Sequence, residues 1–191
     1  MKKVILTAFT ATTLLLPITT VFAAPLTISL GIPQEHTFSE NNEDGSKIET
    51  DGSSGYFLGV SFLSFGLGID SYTTKFKTGP GNCNGCWGVG GDAGLKTNMT
   101  NLFYQLPVPV VNLIIGLGMG TQEMDCTICS RLYDKGSATQ WYTSIGLPII
   151  PFFDIHLSYR SVTSKNITYK SDGVKDDNSG SVTGLGLAFN F

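Results

Sequence analysis

Apolar residues recur at every second position in a series of stretches separated by turn-forming or polar residues. Leu26, Ile28, Leu30 and Ile32 alternate with Thr27, Ser29 and Gly31; Tyr56, Leu58, Val60 and Phe62 with Phe57, Gly59 and Ser61. Phe65, Leu67 and Ile69 follow, then Leu102, Tyr104 and Leu106, then Val111 through Met119 on odd numbers. Trp141, Thr143, Ile145 and Leu147 come next, then Phe153, Ile155, Leu157 and Tyr159, and finally Thr183, Leu185, Leu187, Phe189 and Phe191. A strand sends alternate side chains to opposite faces, so each stretch predicts a strand with one apolar face, eight in all. After Ile69 the apolar parity moves to Tyr72, Thr74 and Phe76, which predicts a bulge.

The connections alternate in kind. Phe62–Phe65, Leu106–Val110 and Leu147–Phe152 are tight, the last two built on Pro107-Val-Pro109 and Pro148-Ile-Ile-Pro151. Proline presets φ and has no N–H for a ladder, so both read as turns. The other four connections are long and polar, including 39–54, 77–98, 122–137 and 163–179. Short turns at one end and long loops at the other mark an up-and-down membrane barrel.

Charge placement separates this from a soluble barrel. Within these stretches no Lys, Arg, Asp or Glu stands on the apolar parity, while Asp70, Asp154, His156 and Arg160 stand on the other. Tyr56, Tyr104, Trp141 and Tyr159 are expected at the long-loop ends, and Phe62, Phe65, Phe153 and Phe191 at the short-turn ends. Aromatic girdles around an aliphatic band suit a wall facing lipid. The predicted fold is all-β: an eight-stranded antiparallel up-and-down transmembrane β-barrel with short periplasmic turns and four long extracellular loops.

The chain ends on alternating Leu185, Leu187, Phe189 and Phe191. This resembles the C-terminal strand of bacterial outer-membrane barrels, which implies that these four residues form the signal read by the barrel-assembly machinery. The whole mature chain resembles the small OmpA- and OmpX-like barrels in architecture. Residues 1–23 read as a secretory signal peptide: Lys2 and Lys3, an apolar run from Val4 to Ile18, and Val21-Phe-Ala23 as cleavage site. Residues 24–191 form the barrel domain, expected in the bacterial outer membrane. Loss of Lys2 and Lys3 takes the net charge from −3 to −5, which excludes nucleic acid as a partner.

An eight-stranded barrel has a lumen just wide enough to fill with side chains. Asp70, Asp154, His156, Arg160, Gln105 and Asn112 are predicted to form a polar plug, since buried charges require partners. His156-Leu-Ser158 resembles the His–Ser pair of the lipid A deacylase family, in which an acid supports the histidine. That family follows the serine with Asn-Ala and uses a downstream Glu; here Tyr159-Arg160 follows and no Glu lies beyond Glu123.

Cys83-Asn-Gly-Cys86 and Cys126-Thr-Ile-Cys129 fall in the second and third long loops. Their spacing suits a four-thiolate metal site, but an exported chain passes an oxidising compartment where thiols pair. Disulfides are therefore expected at all four, without metal or cofactor. Bridges between the two loops enclose long segments and restrain more than bridges within each Cys-x-x-Cys. Cross-loop pairing is the expectation, with local pairing as the alternative; cross-loop bridges would join loops 2 and 3 around Trp87, Leu132 and Tyr133.

The function expected is that of a non-enzymatic surface barrel whose loops bind an extracellular ligand or support the envelope. The alternative is a lipid A-modifying enzyme using His156 and Ser158. Outer-membrane lipid and lipopolysaccharide are the expected surroundings, met by Lys75, Lys77, Lys96, Arg131 and Lys165 near the outer rim.

Overall fold

A computed structural model describes residues 25–39, 48–77, 93–106, 108, 111–126, 129–150, 152–164, 167–171, 173 and 175–191. Strands β1 (Leu26–Phe38), β2 (Thr50–Phe62), β3 (Phe65–Phe76), β4 (Gly94–Leu106) and β5 (Asn112–Asp125) run antiparallel in succession. A single helical turn, α1 (Cys129–Leu132), and a short strand, β6 (Tyr133–Asp134), follow. Strands β7 (Gly136–Ile150) and β8 (Phe153–Thr163) continue the wall. Two short strands, β9 (Ile167–Tyr169) and β10 (Lys175–Asp176), precede β11 (Gly180–Asn190). The order β1-β11-β8-β7-β5-β4-β3-β2 closes on itself, which leaves no unpaired edge in the wall. Closure runs from Thr27↔Asn190 to Phe38↔Gly180, and the Phe191 N–H donates to the Leu26 carbonyl at 2.8 Å.

The eight long strands follow the alternation in the sequence. Leu58, Val60, Leu67, Leu117, Leu157 and Leu187 are exposed on the outer wall, while Phe57, Phe103, Ile114 and Tyr142 fill the lumen. An apolar exterior around a polar interior is what a wall in lipid requires, and closure of the sheet pairs its strands on both sides. The chain is a closed eight-stranded antiparallel barrel with an apolar outer face.

Three local expectations are corrected. The bulge predicted after Ile69 is absent: β3 keeps one register against β4 from Phe65↔Tyr104 to Lys75↔Gly94. Tyr72 and Thr74 simply continue the inward parity of Asp70, and both are buried. The break expected at Pro148 also fails, because β7 carries Pro148 within the strand and shifts register between Pro148 and Ile150. A bulge accommodates the missing donor. Finally, Tyr104 belongs to the short-turn girdle, its ring 5.0 Å from that of Phe65. Strand β4 runs toward the short turns, so its C-terminal residues lie there. Trp141 and Tyr159, with rings 5.7 Å apart, remain at the long-loop end.

Beyond the lipid-facing band the strands continue outward and enclose a second, apolar core. Phe38, Leu95 and Ile167 are buried against one another, with Ile48, Phe76, Met124 and Tyr133 packed around them. Above them β10, β9 and β6 form a three-stranded sheet in that order, pairing Tyr133↔Tyr169, Asp134↔Thr168 and Lys175↔Thr168. The third and fourth outer loops, read from sequence as polar connections, thus carry ordered structure.

Candidate functional site: the closed lumen and its outer cap

Alternation on β7, β8 and β11 and on β1 to β5 sends one residue in two into the lumen, where they meet in layers. At the short-turn end Asp154 is the centre. The amides of Asn112 and Asn190 donate to its Oδ2, the latter at 2.8 Å. The Thr27 hydroxyl donates to Asn190 at 2.9 Å, and Gln105 donates to Asn112 at 3.1 Å. His156 lies above, with Nε2 3.8 Å from Asp154 and Nδ1 3.2 Å from the Ser144 hydroxyl.

The middle layer is built on Asp70 and Arg160. Arg160 Nε donates to Asp70 Oδ2 at 2.9 Å, and Gln140 donates to the same oxygen at 2.6 Å. The guanidinium lies 3.5 Å from the Phe57 ring centroid and 5.0 Å from that of Tyr142. A planar cation can stack on rings while its edge serves a carboxylate, so one arginine satisfies both contacts. A cavity of about 50 Å³ lies among these layers, lined by Ser144, His156 and Arg160 together with Phe57, Phe103 and Ile114.

His156 and Ser158 face the same side of β8 and take different partners. Ser158 is engaged elsewhere: Arg160 Nη1 donates to its hydroxyl at 2.5 Å, and the hydroxyl donates to the Gly184 carbonyl at 3.3 Å. The histidine faces Ser144 instead, a contact across β7 and β8 that sequence proximity does not reveal.

Above the lipid band His36 closes the polar lumen. Its Nδ1 lies 2.8 Å from the Thr74 hydroxyl, and its ring packs 4.3 Å from Phe38 and 6.2 Å from Tyr72. Burial pushes its pKa down to about 4. His36 and the Phe38–Leu95–Ile167 cluster form a cap that sequence reading missed, since single apolar residues in polar stretches carry no period.

Cys126 pairs with Cys129 in a disulfide, with Cα atoms 5.1 Å apart. This corrects the expected cross-loop bridge: the Cys129 N–H donates to the Cys126 carbonyl at 3.2 Å, which sets the two residues close enough to pair, and α1 begins at Cys129. Cys83, Cys86 and Trp87 lie outside the described residues. The third loop is joined to the fourth, through the β6–β9 pairing, the Tyr133 and Tyr169 rings at 5.2 Å and the Lys170–Asp134 ion pair at 3.4 Å. At the rim Glu123 accepts ion pairs from Lys135 at 2.6 Å and Lys96 at 3.7 Å. The Lys135 hydrogen bond holds its carboxyl below the usual range. Among the described residues no group of three or more His, Cys, Asp or Glu is placed to hold a metal ion.

No protein-family model and no curated protein matches the chain. Solved structures do. Neisserial surface protein A shares 12% identity, with a TM-score of 0.61, over 88% of this chain and 98% of that one. The outer membrane protein W of E. coli shares 11% identity, with a TM-score of 0.53, over the same shares of the two chains. At such identities the likeness is one of fold, and it places the chain among small outer-membrane β-barrels.

Proposed function

We propose that the protein is a non-enzymatic surface barrel that binds a partner outside the cell through its third and fourth outer loops. The observation that carries this reading is the ordered cap: Tyr133 of β6 and Ile167 of β9 pack into an apolar core, and β10 pairs with β9. Loops held on a rigid scaffold are where binding concentrates. The cap sheet carries Tyr133 and Tyr169, half-buried rings that supply contact area at low entropic cost. Cross-linking of loops 2 and 3 has no part in this account.

The lumen serves as a plug and a support. Asp70, Arg160, Gln105, Asn112, Asp154 and His156 fill it with partnered groups, which leaves the outer loops as the working face. Residues 1–23 act as the export signal, and Leu185, Leu187, Phe189 and Phe191 present the assembly machinery with a closing strand. Lipid and lipopolysaccharide surround the apolar wall.

Cells carrying the gene are expected to adhere to arrays of extracellular-matrix proteins and glycans more than cells lacking it. The double substitution Tyr133→Ser, Tyr169→Ser should return adhesion to the level of the deletion while surface expression stays unchanged. Equal adhesion by cells with the native chain and cells with that variant would contradict the assignment to loops 3 and 4.

A further inference from the structure

The Cys126–Cys129 bridge lies where the barrel wall joins the outer cap. Cys126 directly follows β5, and Cys129 opens α1, which runs straight into β6. β6 is short: it pairs with β9 through Tyr133↔Tyr169 and Asp134↔Thr168, and the Lys170 N–H donates to the Leu132 carbonyl at 2.8 Å. The wall beneath is a continuous ladder, running between β4 and β5 from Gly94↔Asp125 to Leu106↔Leu113. Short pairings open locally, whereas long ladders open with the whole domain. A bridge between residues three apart restrains its own neighbourhood and little else. Opening it therefore bears on α1 and β6 and spares the wall. The two sulfurs also differ in reach, for Cys129 is 5% exposed and Cys126 is half-buried. Disulfides exchange by attack of a thiolate on one sulfur, and access decides which one.

We propose that Cys126–Cys129 is an exchange site for low-molecular-weight thiols outside the cell, and that exchange there releases the β6–β9 cap. A thiolate attacks Cys126 Sγ, the S–S bond breaks, and its electron pair leaves on Cys129 Sγ. The products are a mixed disulfide at Cys126 and a thiolate at Cys129. A second thiolate attacks the sulfur of the attached thiol, a free disulfide departs, and Cys126 is left as a thiolate. Two thiols are thereby oxidised to one disulfide, the bridge takes up the two electrons, and the protons pass through water to the two cysteines. The bridge forms in the oxidising compartment crossed on export, and at the surface the surrounding thiols set its state. Once it opens, the segment from Cys126 to Leu132 is no longer held as a closed turn. Tyr133 then loses its hold on the Tyr169 ring and on the Phe38–Leu95–Ile167 core. The exchange itself is independent of what the cap binds; its consequence, weaker binding by the reduced barrel, rests on the cap being the binding face.

The test uses the full mature barrel carrying Cys83→Ser and Cys86→Ser, which leaves Cys126 and Cys129 as its cysteines, folded into lipid vesicles. 2-Mercaptoethanol is added, free thiols are blocked with iodoacetamide, and amide hydrogen exchange is followed by mass spectrometry. Reduction should speed exchange about tenfold over residues 129–134 and 167–170 and leave β8 unchanged. Adding Cys126→Ser and Cys129→Ser together should give the same fast exchange without any thiol. In the single variants, the thiol of Cys126 in Cys129→Ser should react with an aromatic disulfide about tenfold faster than that of Cys129 in Cys126→Ser. A bridge that resists 2-mercaptoethanol in the folded barrel overturns the proposal, as does equal or faster reaction at Cys129. Unchanged exchange in the cap after reduction overturns it too, and so does exchange that speeds equally through β8. Adhesion is measured separately: a reduced barrel with an open cap and undiminished adhesion would contradict the binding role of the cap and leave the exchange site standing.

Discussion

The lumen is packed by pairing each large inward side chain with a glycine on a neighbouring strand. Tyr142 lies where a Cβ on Gly116 would stand, and Phe103 lies likewise over Gly66. His156 covers Gly146, its Nε2 2.7 Å from the position of a Cβ there. Gly146→Val should therefore displace His156 and lower the melting temperature, and a side chain of similar size at exposed Ile145 should not. The buried Asp70–Arg160 pair gives a larger effect. Asp70→Ala leaves a charged guanidinium without its carboxylate and should cost about 3–5 kcal/mol in urea unfolding from lipid vesicles. His36 makes the outer cap sensitive to acid. Its pKa in the folded state is depressed to about 4 from 6.5, so the unfolded chain takes up the proton first as pH falls. Stability is complete above about pH 6.5, declines through the window down to pH 4 and is lost by about 3 kcal/mol below it. His36→Gln should flatten that dependence in unfolding measured across the window, and an unchanged pH profile would rule His36 out as its source.

At the scale of the element, period and turn chemistry decided most of the strands. The parity of β1, β2, β5, β7, β8 and β11 was legible, because one face had to be apolar along its whole length. What parity could not supply was context: Tyr72 looked like a slip because a phenol reads as outward, yet it is fully buried against Phe57 and Val182. Tyr104 was placed at the wrong end although its face was right, since strand direction has to be carried through each turn. The cap was illegible for another reason. Phe38, Leu95 and Ile167 come from three separate strands and meet only after the barrel closes. The candidate site followed the same division, for the lumen residues were named from their parity whereas the partnership of His156 with Ser144 needed the β7–β8 register. Two elements offer tests. Leu63 and Ser64, at φ of 47° and 77°, form a two-residue hairpin turn without glycine. Leu63→Asn, Ser64→Gly should stabilise the barrel by about 1–2 kcal/mol, as left-handed residues other than glycine are strained. Deleting Phe189–Phe191 removes the Phe189↔Ile28 pairing and the Phe191–Leu26 bond that helps close the wall, and should abolish heat-modifiable migration on gels.

At the scale of the molecule the barrel wall is inverted: the aliphatic residues of its lipid-facing band point out, Asp70, Asp154 and Arg160 point in, and its far end is sealed by a small apolar core. Purified protein should give no stable porin-sized conductance in planar bilayers, because Asp154, Arg160 and their partners occupy the cross-section. The inversion itself is open to direct measurement on β8, where Asp154, His156, Ser158 and Arg160 alternate with Ile155, Leu157 and Tyr159. Spin labels placed singly at cysteines substituted for residues 154 to 160, in barrels reconstituted into bilayers, report collision with oxygen in lipid and with a nickel chelate in water. Labels at 155, 157 and 159 should be accessible to oxygen, and labels at 154, 156, 158 and 160 protected from both. Accessibility to the nickel chelate at 155, 157 and 159 would put the apolar face in water and contradict the barrel's place in the membrane.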